Sequence, residues 1–167
     1  VIPPDHPDRD AARQALHAAA VACAPAVIAE HARPLPAVAD TLARLVSRGY
    51  RLGIVTGSGG ETLRFLAAEG LLGHFDAIVT ARDVESRKPH PEGLLACASR
   101  MGIEPANAVY VGDSGADVRA ARAAGMRSIS VLSGAGTSAS LSLHGPDRLL
   151  LDHRGLPDVL VRPALAT

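Results

Sequence analysis

Residues 109–117 read Val-Tyr-Val-Gly-Asp-Ser-Gly-Ala-Asp, an apolar run followed by two aspartates four residues apart. Its apolar start predicts a strand, and the helical pattern that follows ends at Gly125. Asp113 then lies at the strand tip, and Asp117 lies on the first helical turn, from which it can lean back toward the same point. Two carboxylates placed in this way suit Mg²⁺, which takes a few carboxylates, several waters and substrate phosphate. The alternative is structural, with Asp117 complementing the helix dipole and Asp113 acting as a turn residue.

From Leu35 onward, helical patterns alternate with short apolar runs. This order predicts an α/β fold, a three-layer Rossmann-like parallel sheet with helices on both faces. The first helix should open at Pro36 and end at Gly49, with four apolar side chains on one face: Val38, Leu42, Leu45 and Val46. Further helices are expected at about residues 60–69, 91–101 and 116–124, and a short one after Gly155. The predicted strands are 51–55, which should be buried, 76–79, 108–111, 127–131 and 148–151.

Residues 1–33 differ from the remainder of the chain. A start rich in Pro and Asp leads into an Ala-rich helical stretch over about residues 10–31, interrupted near Pro25. We therefore expect a separate helical piece in residues 1–33 and an α/β core in residues 34–167. The apolar segment within the helical piece is too short and too interrupted to predict export or a membrane anchor. In the core, the loop at residues 133–142, rich in Ser, Gly and Ala, should stay on the surface.

Composition narrows the class of partner. The 17 Lys and Arg residues balance 17 Asp and Glu residues, so no net field draws the chain to nucleic acid or to an anionic membrane. Aromatic residues make up only 2 % of the sequence, which disfavours base stacking. A small-molecule partner is therefore predicted. The two cysteines, Cys23 and Cys97, have no second ligand at metal spacing and are expected to be buried free thiols, as in a reducing cytoplasm.

Two more strand ends carry groups suited to phosphate. The strand at residues 51–55 runs into Thr56, Gly57 and Ser58 before a helix, and a hydroxyl with flexible backbone amides at a helix start favours an anion. Lys88 precedes Pro89, which keeps the lysine out of helical geometry and presents its charge. The alternatives are ordinary turn chemistry for the first group and a solvated surface charge for Lys88.

Taken together and in this order, three stretches resemble three of the four sequence motifs of the haloacid dehalogenase superfamily. They are Ile-Val-Thr-Gly at residues 54–57, Lys-Pro at 88–89 and Gly-Asp-Ser-Gly-Ala-Asp at 112–117. The similarity extends from about Leu35 to Val161. Short stretches outside the motifs, including residues 70–72 and 120–126, are most similar to the phosphoglycolate phosphatase branch.

The resemblance implies a role for each matching residue. It implies that Thr56 and Lys88 bind the transferring phosphoryl group, that Asp113 binds Mg²⁺, and that Asp117 supports the metal site. The dehalogenases of this superfamily work without metal and lack the paired aspartates. Asp113 and Asp117 therefore favour phosphoryl transfer over carbon–halogen cleavage.

The superfamily's first motif is an apolar strand that ends in Asp-x-Asp and supplies the nucleophile. In this sequence only Asp8 and Asp10 have that spacing, and the residues before them do not form a buried strand pattern. No nucleophile is therefore assigned, and residues 1–33 resemble the tail of a helical cap. The missing strand should be the central one, between residues 51–55 and 108–111, so its absence should leave backbone groups unpaired and the chain poorly stable.

These observations lead to one leading hypothesis and two alternatives. The leading hypothesis is a cytoplasmic, Mg²⁺-dependent hydrolase of small phosphate esters that is active only together with a first motif from outside this sequence. One alternative is a short product that cannot form the aspartyl-phosphate, and is either an inactive fragment or a non-catalytic phosphate-binding or interaction module. A phosphomutase of the same superfamily is the other alternative.

Overall fold

A computed structural model of the chain describes residues 30–160 and, before them, residues 8, 11–12, 14–15 and 26–27. The chain divides into two compact units, Val1–Pro34 and Leu35–Thr167. In the first unit, residues 11–12, 14–15, 26–27 and 30–31 are helical. The predicted interruption at Pro25, the thiol of Cys23 and the carboxylate of Asp10 lie outside the described residues. That this unit is part of a cap stays a prediction.

The second unit has the predicted alternation of helices and strands. Its strands are β1 (Gly53–Val55), β2 (Ala77–Val79), β3 (Val109–Gly112), β4 (Arg127–Val131) and β5 (Arg148–Leu150). Its helices are α1 (Val38–Ser47), α2 (Gly60–Ala68), α3 (Glu92–Met101), α4 (Gly115–Ala123), α5 (Ser138–Ser142) and α6 (Leu156–Val159). Short 3₁₀ turns cover Leu72–His74, Pro105–Asn107 and His153–Gly155. The predicted glycine stops are confirmed: Gly49, Gly70, Gly102 and Gly125 all have positive φ, which favours glycine.

The strands form two parallel sheets. β1 pairs with β2, placing Val55 opposite Val79, and β4 lies between β3 and β5. Within the described residues, β1 and β3 each pair on one side only. The prediction that the strand at residues 51–55 is buried is therefore wrong: Gly53 is exposed, and the rest of β1 and all of β3 are half-buried. No neighbouring strand covers their second edges in the described part of the chain.

Helices pack on both faces of the larger sheet because successive strand residues point to opposite sides. Val109 and Val111 contact a cluster formed by α1, β4 and α6, whose buried members are Leu45, Ile129 and Leu156. Tyr110, between the two valines, contacts a second cluster on α3 and α4, whose buried members are Leu94, Ala120, Ala121 and Ala124. The alanines let α4 approach closely, and this is the predicted three-layer α/β arrangement.

The smaller sheet packs on α3. Ala77, Val79, Cys97 and Met101 form its core, and the thiol of Cys97 is buried and unpaired, as expected.

The predicted apolar face of α1 is confirmed for Leu45, whereas Val46 is 45 % exposed. The four apolar positions predicted for this face span more of the helix circumference than the larger sheet covers, so the expectation is wrong for Val46.

The loop at residues 133–142 is more ordered than its composition suggests. Residues 138–142 form α5, which begins at Thr137 with a capping box that includes Ser140. Leu141 is fully buried. The predicted surface position is confirmed for the exposed residues 133–135, 137–140 and 142, whereas the prediction of a loop is wrong for residues 138–142, because one cap and one apolar side chain hold this helix against the core.

The described part of the chain contains no helix long and apolar enough to cross a membrane.

Candidate phosphate and metal site

The predicted site residues follow the carboxyl ends of β1 and β3 or lie on the segment after β2. Thr56, Gly57 and Lys88 line one small cavity together with Ser86 and Arg87. Ligands of parallel α/β sheets bind beyond the carboxyl ends of strands. The fold thus brings two separate stretches of the sequence to a single opening.

The turn after β1 has few internal hydrogen bonds. The Thr56 amide donates to the Val79 carbonyl at 2.9 Å, which fixes the turn to β2. The Thr56 hydroxyl accepts from the Ser58 amide at 3.1 Å, so its own proton is left for another acceptor. Gly59 begins α2 without a side-chain cap. Ser58 itself is exposed and does not line the cavity.

Lys88 is the only lysine in the sequence. Its ammonium donates to the Tyr110 hydroxyl at 2.8 Å and to Oδ1 of Asp117 at 2.7 Å. Burial by itself lowers the pKa of Lys88, but the charge and hydrogen bonds of Tyr110 and Asp117 outweigh it and raise this pKa. The group therefore stays a cation beside the cavity.

Asp117 is buried and its two carboxylate oxygens are both engaged. Oδ1 accepts from Lys88, and Oδ2 accepts from the Ser114 amide at 3.0 Å, the Ser114 hydroxyl at 2.6 Å and the Asp113 amide at 3.2 Å. Burial alone raises the pKa of Asp117, but the hydrogen bonds from Lys88 and Ser114 overcome it and lower this pKa. A Cβ at Gly112 would overlap the Asp117 side chain, so only glycine fits beside it.

Asp113 is half-buried and faces the segment that follows β4. Its Oδ2 accepts from the Ala135 amide at 2.8 Å. A Cβ on Gly134 would overlap the same carboxylate, so this close approach requires glycine. The other oxygen of Asp113, Oδ1, has no hydrogen-bond partner among the described residues. Of the two aspartates, Asp113 is therefore the one with a carboxylate oxygen free to bind a metal ion.

The two aspartates offer few free carboxylate oxygens to a Mg²⁺ ion. Asp113 can give one carboxylate oxygen, whereas both oxygens of Asp117 already accept hydrogen bonds. Among the described residues, no group of three or more His, Cys, Asp or Glu side chains is placed to hold a metal. Mg²⁺ commonly keeps several waters and binds one or two carboxylates plus substrate phosphate. The arrangement suits an ion that Asp113 ligates and for which Asp117 holds the turn.

Three groups that contribute to the site are not among the predicted site residues. The pattern Ser114-x-x-Asp117 predicts a capping box and could have revealed the role of Ser114. The amide of Ala135 and the hydroxyl of Tyr110 leave no local signal, because their partners are distant in sequence. Asp8 belongs to the first unit, so its spacing with Asp10 stays a sequence observation only.

Comparison with known proteins gives a consistent result. Residues 10–131 match the family model described as haloacid dehalogenase-like hydrolase. The phosphoglycolate phosphatase of Escherichia coli (strain K12) is 38 % identical over 129 residues, which are 73 % of this chain and 51 % of that protein. The chain thus spans about half the length of the curated relatives it matches.

Solved structures are similar as well. CbbY from Rhodobacter sphaeroides, in complex with phosphate, has a TM-score of 0.72 at 28 % identity, covering 93 % of this chain and 68 % of that one. A protein from Thermotoga maritima assigned as a β-phosphoglucomutase has a TM-score of 0.68 at 27 % identity, covering 75 % and 61 %.

Proposed function

Because this chain belongs to the haloacid dehalogenase-like hydrolases, we propose that it provides the phosphate- and metal-binding half of a Mg²⁺-dependent phosphatase of the phosphoglycolate phosphatase type. The observation that carries the proposal is the convergence of Thr56 and Lys88 on one cavity while Asp117 holds Lys88 next to the turn of Asp113. A small phosphate ester is the proposed substrate.

The residues of this chain bind and neutralise the phosphoryl group. The Thr56 hydroxyl proton and the amide of Gly57 hydrogen-bond its oxygens, and the Lys88 cation offsets their negative charge. Asp113, whose Oδ1 has no hydrogen-bond partner among the described residues, would hold Mg²⁺, and Asp117 keeps Lys88 and the turn in place. When bound, Mg²⁺ polarises the phosphoryl oxygens and supports charge that develops during transfer. None of these residues is the nucleophile, which the resemblance assigns to a first-motif aspartate.

Binding tests this proposal before catalysis does. We expect the chain Val1–Thr167 to bind inorganic phosphate more tightly with Mg²⁺ than without it, as measured by isothermal titration calorimetry. Asp113→Asn should abolish this dependence, because it removes the ligand oxygen's charge. Asp40→Asn, which changes an exposed acid on α1, is the matched control. Equal Mg²⁺ dependence in both variants would contradict the assignment of Asp113.

Hydrolysis of an aryl phosphate distinguishes the enzyme from a binding module. We expect activity with Mg²⁺ in a protein extended upstream of Val1 by an apolar strand ending in Asp-x-Asp, and none in the chain Val1–Thr167. Activity of the shorter chain would mean that it contains a nucleophile, and Asp8 and Asp10 would be the first residues to substitute. Phosphate binding without hydrolysis by either protein would favour the non-catalytic alternative.

The similarity to an assigned β-phosphoglucomutase supports a phosphomutase as the second candidate. A mutase returns the phosphoryl group to another oxygen of the sugar, whereas a phosphatase releases it to water. Incubating the extended protein with a sugar phosphate and following ³¹P resonances separates these outcomes. A cytoplasmic location stays a prediction, in keeping with the unpaired thiol of Cys97.

A further inference from the structure

We propose that Tyr110 is a positioning residue that aims the Lys88 ammonium at the phosphate cavity. The inference rests on the proposed function, because it gives Tyr110 its role through Lys88. Tyr110 lies on β3, and its ring packs against the cluster on α3 and α4. Only the hydroxyl reaches the polar site, where it accepts from Lys88 at 2.8 Å.

The number of donors on an ammonium explains why a second partner matters. The Nζ of Lys88 has three N–H bonds in a tetrahedral arrangement. With Asp117 as the sole partner, the flexible stem of Lys88 could still swing about that one hydrogen bond and carry the other N–H bonds with it. The second hydrogen bond, to Tyr110, stops this motion of the stem and so fixes the direction of the third N–H. Because Lys88 lines the cavity with Thr56, the third N–H is the one available to a phosphoryl oxygen.

The Tyr110 hydroxyl also contacts the end of β1, just before the turn that contains Thr56. It donates to the carbonyl of Val55 at 3.5 Å, a long and weak hydrogen bond. Val55 directly precedes Thr56, so one phenol contacts both the lysine and the strand end that presents the threonine hydroxyl. Within the described residues β1 and β3 share no backbone pairing, so this side chain is one of the contacts that join the two sheets at the site.

Ring-face attraction does not account for the contact. The ammonium is 5.3 Å from the ring centroid but 2.8 Å from the hydroxyl oxygen, so it lies at the hydroxyl end of the ring. A phenylalanine would keep the ring and its packing while losing the acceptor. Tyr110→Phe therefore separates positioning of Lys88 from support of the core.

The composition of the chain makes the experiment direct. Lys88 is the only lysine, and Tyr50 is the only other tyrosine. The side-chain ammonium resonance in a ¹H–¹⁵N spectrum of the ¹⁵N-labelled chain therefore belongs to Lys88 without assignment. Tyr50→Phe is the matched control, because the Tyr50 hydroxyl donates to the Leu160 carbonyl at 2.7 Å and has no contact with Lys88.

We expect a sharp ammonium resonance in the wild-type chain and in Tyr50→Phe, because two hydrogen bonds slow proton exchange. Tyr110→Phe should broaden this resonance and weaken binding of inorganic phosphate about fivefold, the effect of one hydrogen bond. A wild-type resonance no sharper than that of free lysine overturns the proposal, and so does a Tyr110→Phe spectrum identical to the control. If no variant binds phosphate, the proposed function fails, while the ammonium line width still tests positioning.

A second measurement covers the case in which Tyr110→Phe does not fold. Incorporation of 3-fluorotyrosine at both tyrosines keeps the hydroxyl and changes its strength as an acceptor. The Lys88 ammonium resonance should then shift in the wild-type sequence. It should shift equally in the Tyr50→Phe background, where Tyr110 is the only tyrosine. An unchanged resonance overturns the role of Tyr110.

Discussion

The turn after β1 and the turn after β3 occupy equivalent positions but use their polar groups in opposite ways. In the first, one side-chain hydrogen bond joins Thr56 to Ser58, and α2 begins without a side-chain cap. In the second, Ser114 and Asp117 form a closed capping box at the start of α4. Hydrogen-bond donors of the first turn thus stay available to water or a ligand, whereas the polar groups of the second turn hydrogen-bond to one another.

This difference separates binding from stability. Exposed amides in the first turn bind water in the absence of an anion, so they add little to the free energy of folding. The carboxylate of Asp117, by contrast, is buried and accepts four hydrogen bonds, one of them from Lys88. We therefore expect substitutions of the buried capping carboxylate, Asp117, to destabilise the protein, and substitutions in the first turn or at Asp113 to affect ligand binding.

The largest effect is expected for Asp117→Ala. The substitution leaves the Lys88 cation and the donors of Ser114 and Asp113 without their shared acceptor. We expect a loss of about 3–5 kcal/mol in the free energy of unfolding, as for other broken buried pairs. Urea denaturation followed by circular dichroism measures it. Asp40→Ala, an exposed first-turn acid on α1, should cost only a few tenths of that and serves as control. Similar losses in the two variants would remove the distinction between the turns.

Acid should weaken the second turn through the same carboxylate. The folded-state pKa of Asp117 lies below its unfolded value, so its contribution to stability is present above the unfolded pKa of about 3.8 and is lost as pH falls through the folded pKa. Unfolding free energies of the wild type and Asp117→Asn, measured between pH 7 and 3, should converge toward the acid end. Asp83 and Asp147, whose pKa values are also lowered, are present in both proteins and do not change the difference between the two curves. Parallel curves would therefore contradict this role of Asp117.

Gly134→Ala should have a smaller effect on folding and a local effect on Asp113. The added methyl group overlaps the Asp113 carboxylate, so either the loop or the acid must move. We expect a loss of about 1–3 kcal/mol, typical of overpacking, with weaker Mg²⁺-dependent phosphate binding. Gly73→Ala is the matched control, because a Cβ there meets no atom within 4 Å. Equal stability and equal binding in the two alanine variants would show that the approach at Gly134 is unimportant.

Thr56→Val should change stability least. It removes one exposed hydrogen bond in the first turn, so we expect a loss within about 0.5 kcal/mol, together with a marked loss of phosphate affinity. Thr62→Val, on α2 and outside the cavity, makes the same chemical change as a control. A Thr56→Val protein that is strongly destabilised, or that binds phosphate as well as its control, would contradict the assignment of this turn to binding.

Local patterns predicted most of the fold correctly. The helix stops at Gly102 and Gly125 and the short strand β3 between them follow from neighbouring residues, since glycine favours positive φ and apolar runs favour strands. The errors have tertiary causes. Val46 is exposed because the sheet covers only part of α1, and Leu141 is buried because the core happens to lie beneath α5. Neither fact is encoded within a short window.

At the site, the residue type at each strand end and the order of these residues follow from local strand, turn and helix signals. Which of these residues bind one another, and which keep a free donor or acceptor, depends on tertiary contacts. Lys88 meets Tyr110 and Asp117 from 22 and 29 residues away, and Ala135 reaches Asp113 from 22 residues away. Such contacts depend on how helices pack two sheets side by side, and no spacing along the chain specifies which oxygen of an aspartate remains without a partner.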